Sequence, residues 1–268
     1  MIASLVNGVP GDQVSILDRG LQFGDGLFET LAVIRNRPCL WQAHVARLAS
    51  GCARLGMAMP DPALLEQESR ELISSHEQAV LKIIITRGSS ARGYAPAHGP
   101  VTRILSLFSW DGPASESVWV NIASRRLGLN PTLAGLKHLN RLEQVLARQE
   151  MPGDVQESIL LDIKDRVTEG IAANIILQQG ERLLTPALNE CGVAGVTRQL
   201  VLDTAAGMGM TVEKTEVQRE ALLSADALYL TSSLLGIRPV QGILQEDWRP
   251  ALAQHPVIEA AQSRVFSP

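Results

Sequence analysis

The sequence predicts a mixed fold of helices and strands, α/β or α+β, arranged in two domains. Short β-branched and aliphatic runs alternate with segments whose apolar residues recur at helical spacing, and this alternation is typical of a mixed fold. Residues 111–117, near the middle of the 268-residue chain, are rich in turn formers and poor in aliphatic side chains. We therefore predict a smaller N-terminal α/β domain over 1–110, a linker over 111–117 and a larger C-terminal domain over 118–268.

The first half of the chain is predicted to combine several strands with one helix. Asn7-Gly8 is typical of a two-residue hairpin turn, because both residue types tolerate a positive φ. A strand is predicted within 22–36 after a glycine-rich turn, and a helix within 41–56, where apolar residues recur at helical spacing. The aliphatic runs at 81–86 and 102–107 predict two paired strands, joined by a loop rich in glycine and proline.

The second half repeats this mixture of strands and helices. Its first predicted helix covers 138–150, where Leu139, Leu142, Val145 and Leu146 share one face. The other predicted elements are strands at 118–123, 159–163, 175–177, 183–184, 211–217 and 227–231, and helices at 196–208 and 218–224.

Composition and charge exclude several classes of protein. The net charge of −4 and the pI near 5.8 argue against a nucleic-acid partner, because no basic run is present to neutralise phosphates. No run of about 18 apolar residues predicts a membrane span, and the N-terminus lacks the features of a signal peptide. Cys39, Cys52 and Cys191 are widely spaced and odd in number, so we expect reduced thiols in a cytoplasmic protein without structural zinc. A small-molecule substrate is the predicted partner.

Two motifs partly match those of other enzyme classes but lack residues that those classes need. Phe23-Gly24-Asp25-Gly26-Leu27-Phe28-Glu29 lacks the third glycine of a dinucleotide-binding loop, and it precedes a strand instead of opening a helix. His76-Glu77 is followed by Val80 where a zinc-binding helix would place a second histidine. Neither Rossmann-type binding nor metalloprotease chemistry is predicted.

Lys137 is the most informative single residue, because the chain has only four lysines beside twenty arginines. It lies in a glycine-containing loop just before the helix predicted at 138–150. The positive end of the helix dipole would lower the pKa of its amine and favour a role as nucleophile or base. On position alone, a solvated loop lysine is the alternative. Lys82, Lys164 and Lys214 fall in predicted strands or a turn and are interpreted as solvated charges.

Five segments, taken together, resemble a known family. They are Asp18–Thr30, His44–Leu48, the Lys137 loop Asn130–Leu142, Val167–Asn174 and Gly192–Arg198. Their order and spacing cover nearly the whole chain and resemble those of the fold-type-IV pyridoxal-phosphate enzymes. The resemblance implies a two-domain α/β fold that binds pyridoxal 5'-phosphate between the domains, with the larger C-terminal domain contributing most of the cofactor site. It also implies a homodimer.

The resemblance assigns a role to each matched residue. Lys137 would hold the cofactor aldehyde as a Schiff base and afterwards transfer protons. Glu169 would keep the pyridine nitrogen protonated; without the resemblance it reads as a surface strand glutamate. The cofactor phosphate would be bound by the helix N-terminus at Val196 and Thr197. The remaining cofactor contacts implied by the resemblance are Arg47 and Ser233 at the phosphate, and Asn174.

The run Leu133–Glu143 resembles the aminodeoxychorismate lyases within this family. That resemblance implies conversion of 4-amino-4-deoxychorismate to 4-aminobenzoate and pyruvate, a step of folate biosynthesis. The substrate bears two carboxylates, so we expect an arginine in its pocket, and Arg92 is the first candidate. Phe28 occupies a position where some relatives have tyrosine, and we place it at the substrate. The contributions of His138 and Arg141 stay open.

Two alternative functions remain at this point. A D-amino-acid or branched-chain aminotransferase would use the same cofactor for a different reaction. A non-catalytic binding module would keep the fold without chemistry. The presence of every chemically required residue type at its matched position favours an enzyme.

Overall fold

A computed structural model describes residues 1–95, 99–113, 117–251 and 254–267. The middle of the predicted linker, 114–116, lies outside the described residues. The chain divides into two compact units. The first comprises Met1–Gly112, Lys137–Asn140 and Phe266–Pro268, and the second comprises Pro113–Leu136 and Arg141–Val265. The first unit therefore includes a short segment, Lys137–Asn140, that is distant in sequence from most of it.

The first unit is built on a six-stranded antiparallel sheet in the order β2-β1-β6-β5-β3-β4. Its strands are β1 (Ala3–Val6), β2 (Val9–Pro10), β3 (Gly26–Ile34), β4 (Arg37–Pro38), β5 (Gln78–Thr86) and β6 (Thr102–Phe108). Its helices are α1 (Arg19–Phe23), α2 (Trp41–Leu55) and α3 (Pro62–Ile73). The predicted hairpin is confirmed: β1 and β2 pair through Val6 and Val9, and Gly8 adopts a φ of 83°.

Alternation along these strands gives the sheet two different faces, because successive strand side chains point in opposite directions. One face is buried and carries Leu27, Leu31, Leu81, Ile83, Leu105 and Leu107. The other, which we call the half-buried face, carries Phe28, Thr30, Lys82, Ile84, Ile104 and Ser106. The apolar face forms the core of this unit, and the half-buried face is more polar.

The second unit contains a nine-stranded mixed sheet in the order β12-β11-β10-β14-β15-β7-β8-β9-β13. Its strands are β7 (Val118–Leu127), β8 (Glu157–Asp162), β9 (Arg166–Gly170), β10 (Asn174–Gln179), β11 (Arg182–Pro186), β12 (Val212–Thr215), β13 (Val217–Gln218), β14 (Ala227–Ser232) and β15 (Gly236–Ile243). Its helices are α4 (Leu142–Gln149), α5 (Val196–Gly207), α6 (Arg219–Leu223) and α7 (Pro256–Val265). The strands β7 and β8 pair in parallel, and all six residues of β8 are buried. The predicted mixed α/β fold is confirmed.

The strand predicted at 211–217 is divided into β12 and β13, and two other predicted elements begin later than expected. The strand predicted within 22–36 begins only at Gly26, because Asp18 caps the short helix α1 and Gly24 ends it with a φ of 65°. The helix predicted over 138–150 begins only at Leu142. Three of the apolar side chains predicted to share one face of this helix are solvent-exposed: Leu142 at 75%, Val145 at 48% and Leu146 at 41%.

A transmembrane helix needs about 20 apolar residues. None of the helices in the described part of the chain meets that requirement. The three cysteines are all free thiols, and burial raises the pKa of Cys39 and of Cys52 to about 11.

Candidate active site

Lys137 lies in an extended segment that pairs with β3 instead of at the start of a helix. The backbone N–H of Phe28 donates to the carbonyl of Lys137 at 2.9 Å, and the N–H of Leu139 donates to Gly26 at 3.0 Å. Leu27 and His138 form the antiparallel bridge between these two hydrogen bonds. The prediction that a helix dipole acts on Lys137 was therefore wrong, because the segment continues the edge of the sheet and α4 starts four residues after His138.

The side chain of Lys137 lies against the aromatic ring of Phe28. Its Nζ is 4.3 Å from the ring centroid, which is within the range of a cation–π contact. Both side chains are half-buried. The amine of Lys137 therefore lies against the face of the Phe28 ring.

Arg47 is anchored by a buried carboxylate that the sequence reasoning did not single out. Glu29 projects from the buried face of β3 toward α2, and only 1% of it is exposed. Arg47 donates through Nε to Oε1 at 2.8 Å and through Nη2 to Oε2 at 2.5 Å. The Nδ1 of His44 lies 2.6 Å from the same Oε2. Two side chains of α2, one turn apart, thus hold one glutamate.

The charges in this cluster follow from its burial. Burial alone would raise the pKa of Glu29, but the Arg47 guanidinium and the hydrogen bonds from Arg47 and His44 outweigh it and lower that pKa to about 2. Burial also lowers the pKa of His44, against the opposing effect of Glu29. Glu29 is therefore an anion that fixes the orientation of the Arg47 guanidinium.

In the second unit, Glu169 and Asn174 hold the loop that leads into α5. Glu169, on β9, is 4% exposed, and its Oε2 accepts a hydrogen bond from the N–H of Val193 at 2.8 Å. Asn174, at the start of β10, donates through Nδ2 to the carbonyl of Val193 at 2.8 Å. Glu169 is buried, so its interpretation as a surface strand residue was wrong.

The same loop pairs with the backbone just before Lys137 in the chain. Gly135 donates to the carbonyl of Gly192 at 2.8 Å and accepts from the N–H of Ala194 at 3.0 Å. Gly135 has a φ of 80°, a left-handed conformation that favours glycine. This pairing lies within the second unit and ends two residues before Lys137 in the chain.

The N-terminus of α5 presents backbone amides without a side-chain cap. Gly195 is its N-cap, and no side chain caps the helix, so the first-turn amides lack intrahelical partners. A Cβ added to Gly195 would stand 1.9 Å from Asn174 Oδ1, so any other residue there would displace the Asn174 side chain. Val196 and Thr197, both predicted to bind phosphate, are 5% and 1% exposed in this first turn.

Two buried hydroxyls near this helix end lack partners. Thr197 Oγ1 and Thr231 Oγ1 have no hydrogen-bond partner among the described residues. Thr231 lies on β14 directly opposite Asn174 of β10, and α5 packs against both strands. An unpaired buried hydroxyl costs about 1–3 kcal/mol, so this pair is best explained by a ligand that accepts or donates hydrogen bonds there.

The two remaining predicted residues have different settings. Ser233 lies in the turn between β14 and β15, two residues after Thr231, and is partly exposed. Arg92 is exposed, in a loop that a different arginine organises. The buried Arg19 donates to the carbonyls of Gly93 at 3.0 Å and Tyr94 at 3.2 Å. The role of Arg92 at the substrate stays a prediction.

Sequence reasoning missed Glu29 and Thr231, although each had a weak signal. Glu29 was quoted only as part of the Asp18–Thr30 segment, where an acidic residue inside an apolar strand indicates a buried partner. Thr231 stands two residues before the chosen Ser233. Among the described residues, no group of three or more His, Cys, Asp or Glu side chains is arranged to hold a metal ion.

The fold and these residues together define the class of protein. The family model "Amino-transferase class IV" matches residues 26–243, and the chain belongs to this family. The segment order that resembled the fold-type-IV enzymes is thereby confirmed.

Two lyases and an aminotransferase are among the proteins that this chain resembles. The chain is 37% identical over 247 residues to an aminodeoxychorismate lyase from Vibrio harveyi, covering 89% of this chain and 90% of that protein. It is 40% identical to the 4-amino-4-deoxychorismate lyase from Pseudomonas aeruginosa in its crystal structure, with a TM-score of 0.88, covering 98% and 97% of the two chains. A D-alanine aminotransferase from Bacillus licheniformis is 28% identical over 236 residues, covering 86% of this chain and 83% of that protein.

Proposed function

We propose that this protein is a pyridoxal-phosphate-dependent lyase that converts 4-amino-4-deoxychorismate to 4-aminobenzoate and pyruvate. The observation that supports this most is the likeness to two aminodeoxychorismate lyases at 37% and 40% identity over nearly the whole chain. The D-alanine aminotransferase is less similar, at 28% identity. The proposal places the protein in folate precursor synthesis.

The described residues fit this cofactor. Lys137 supplies an amine for its aldehyde, and the buried Glu169 supplies a carboxylate for its pyridine nitrogen. The uncapped N-terminus of α5 and the unpaired hydroxyls of Thr197 and Thr231 are suitable donors for its phosphate. Arg47, Asn174 and Ser233 complete the proposed cofactor contacts.

When bound, the cofactor supplies an electron sink for the carbon that carries the substrate amine. The chain supplies the base: Lys137 Nζ takes the proton from that ring carbon. Cleavage of the neighbouring carbon–oxygen bond then releases the enolpyruvyl group, which becomes pyruvate on gaining a proton, and the ring becomes aromatic. Phe28 lies beside this amine, with its ring centroid 4.3 Å from Lys137 Nζ, and would help to orient it toward the substrate.

The test of this function is a product assay on the wild type and Lys137→Ala together. Wild type with pyridoxal phosphate should form 4-aminobenzoate and pyruvate in equal amounts. Loss of a positioned base costs roughly 10²- to 10⁴-fold in rate, and Lys137→Ala loses the covalent attachment as well. Borohydride treatment followed by peptide mass spectrometry should find the cofactor on Lys137 in the wild type.

A D-amino-acid aminotransferase is the second candidate, supported by the 28% identical D-alanine aminotransferase. Both reactions use the same base and cofactor, so the product distinguishes them. Formation of D-amino acids from keto acids, with no 4-aminobenzoate from aminodeoxychorismate, would overturn the lyase. A protein that never binds cofactor, shown by the absence of visible absorbance after reconstitution, would instead support a non-catalytic binding module.

We further propose a cytoplasmic homodimer. The family resemblance supports it, and so does an exposed apolar surface on α4. Leu142, Val145 and Leu146 are 75%, 48% and 41% exposed, and apolar groups clustered on one helix face favour burial against a partner. Light scattering should give twice the chain mass, and Leu142→Glu with Leu146→Glu should lower it. A wild-type protein with the mass of one chain would contradict the homodimer.

A further inference from the structure

Glu157 and Glu169 lie on opposite sides of the second unit's sheet. Ile159 and Leu161 of β8 belong to one apolar core cluster, and Leu160 belongs to another. Glu157 alternates with Ile159 and Leu161, so its side chain points to their side of the sheet. Glu169 pairs with Leu160 and points to the other side. Any influence of Glu157 on Glu169 therefore passes through the backbone that joins their strands.

The turn between β9 and β10, residues 170–173, is built around the Glu157 carboxylate. The N–H of Ile171 donates to Oε1 at 3.1 Å, and the N–H of Ala172 donates to Oε2 at 3.1 Å. Oε1 also accepts from the N–H of Ser158 at 2.9 Å. Glu157 is only 4% exposed, so these amides replace water around the carboxylate.

Gly170 gives the carboxylate room to approach this turn. A Cβ added at Gly170 would lie 3.1 Å from Glu157 Cγ and 3.3 Å from the carbonyl oxygen of Ala173. The N–H of Gly170 donates to that same carbonyl at 2.6 Å and closes the turn. A side chain at this position would therefore press on the Glu157 side chain and on the closing hydrogen bond.

The residues on either side of the turn both hold Val193. Glu169 precedes the turn and accepts from the N–H of Val193, and Asn174 follows it and donates to the carbonyl of Val193, both at 2.8 Å. The two bonds bind one residue, so they form together only at a fixed spacing of Glu169 and Asn174. Val193 lies two residues before Gly195, the N-cap of α5. The geometry of the turn thus extends to the first turn of α5.

We propose that Glu157 is a positioning residue for the cofactor site. Its carboxylate fixes the turn at residues 170–173 and thereby sets the spacing at which Glu169 and Asn174 hold Val193. This inference rests on the proposed function, in which Glu169 faces the pyridine nitrogen and the N-terminus of α5 binds the phosphate. Glu157 itself contacts neither group and acts only through backbone amides.

Hydrogen exchange of the cofactor-free protein tests the coupling directly. Glu157→Gln keeps the shape of the side chain but replaces one acceptor oxygen with an NH₂ donor, which cannot accept from a backbone amide. Peptide mass spectrometry should show faster exchange at Ile171 and Ala172. It should also show exchange at Val193 that is faster by roughly tenfold, the effect of losing one buried hydrogen bond. A purely local role would change exchange in the turn and leave Val193 as in wild type.

The affinity for pyridoxal phosphate is the second readout, measured by absorbance titration. Glu157→Gln should weaken it by roughly tenfold. Glu68→Gln is the matched control, because Glu68 is also 4% exposed but pairs with Arg103 of the first unit at 2.7 Å. It removes a buried carboxylate away from the turn, so Val193 exchange and cofactor affinity should match the wild type.

Gly170→Ala tests the same contact while keeping the charge of Glu157. Its Cβ should displace the carboxylate, so Val193 exchange and cofactor affinity should change in the same direction as in Glu157→Gln, by a smaller factor. This variant also decides the question if Glu157→Gln does not fold.

The inference requires both changes. It is overturned if Val193 exchange or cofactor affinity stays at the wild-type value in both Glu157→Gln and Gly170→Ala. An equal loss of affinity in Glu68→Gln also overturns it, because any buried carboxylate would then have the same effect. A wild type that binds the cofactor but forms no 4-aminobenzoate overturns the lyase proposal alone. An active lyase whose Glu157→Gln variant binds the cofactor as tightly as wild type overturns only this inference.

Discussion

Two buried glutamates, one in each unit, are stabilised in opposite ways. Glu29 of the first unit is held by the side chains of Arg47 and His44, and its pKa is lowered to about 2. Among the described residues, Glu157 of the second unit accepts hydrogen bonds only from backbone N–H groups, those of Ser158 at 2.9 Å, Ile171 at 3.1 Å and Ala172 at 3.1 Å. Burial raises its pKa despite those bonds.

The difference shows that a charged hydrogen-bond donor stabilises a buried carboxylate anion more than neutral backbone donors do. Both carboxylates are almost fully buried, at 1% and 4% exposure, so desolvation opposes ionisation in both. A bidentate guanidinium offsets that cost, whereas three peptide dipoles do not. The first unit therefore holds fixed charges around β3 and α2. The second unit relies on backbone geometry, and it places amides and hydroxyls where an anion can bind.

The largest expected effect comes from removing the charge that holds Glu29. Arg47→Met would leave a buried carboxylate with only His44, and breaking a buried pair in this way costs about 3–5 kcal/mol. Urea unfolding of the cofactor-free protein should show this as a lower midpoint. Arg125→Met is the control, because the Arg125–Glu150 pair is exposed, and its midpoint should match the wild type. Equal midpoints for both variants would contradict the difference drawn between the units.

The pH dependence of Glu29 follows from its lowered pKa. The ordinary pKa of its carboxyl is 4.5 and the pKa in the folded protein is about 2. The contribution of ionised Glu29 to the unfolding free energy is therefore complete above pH 4.5 and is lost as the pH falls through 2. Unfolding free energies of wild type and Glu29→Gln should therefore converge on acidification, with the wild-type advantage falling by about 2 kcal/mol between pH 7 and pH 3. A constant difference over this range would mean that Arg47 does not hold the anion.

Glu157 should give the unfolding free energy the opposite pH dependence. Its folded pKa is raised by burial, so its contribution is complete below its ordinary pKa of 4.5 and is lost as the pH rises through the folded pKa. The unfolding free energy of wild type relative to Glu157→Gln should be greater at pH 4 than at pH 7. Parallel pH profiles for Glu29→Gln and Glu157→Gln would remove the contrast between the two carboxylates.

The smallest effects are expected from the neutral hydroxyls of the second unit. Thr231→Val removes a buried hydroxyl that has no partner among the described residues and should raise the unfolding free energy of the cofactor-free protein by about 1 kcal/mol. The same change should weaken pyridoxal-phosphate binding roughly tenfold, because a hydrogen bond to a charged group is lost. Absorbance titration measures the affinity. Thr204→Val is a useful comparison, since Thr204 Oγ1 donates to Leu200 at 2.7 Å and should not affect cofactor binding.

Much of the fold could be predicted because its signals are local. The Asn7-Gly8 turn is encoded by two adjacent residues. Helix α2, predicted at 41–56, and helix α5, predicted at 196–208, follow from a 3.6-residue period within one segment. The helix predicted over 138–150 was too long because the prediction also used only local spacing. Residues 137–139 form backbone hydrogen bonds with β3 instead of a helix. No pattern within this segment indicates that β3 is its partner.

The candidate site also contains residues that the sequence identified and residues that only the structure revealed. The sequence was sufficient to select Lys137, Glu169 and Thr197, because each stands in a motif of adjacent residues. It did not select Glu29 as the partner of Arg47 or Lys82 as a neighbour of Phe28. Those contacts join residues on different elements, and they exist only once the strand register has been set.

The sequence by itself determined the mixed fold class, the family resemblance and the candidate amine for the proposed chemistry. Only the tertiary structure decided that this amine lies at a sheet edge, 4.3 Å from the centroid of the Phe28 ring. The physical reason is that turns, caps and helical periods depend on neighbours in the chain. Cross-strand pairs such as Phe28 and Lys137 depend instead on backbone hydrogen bonds between segments more than a hundred residues apart.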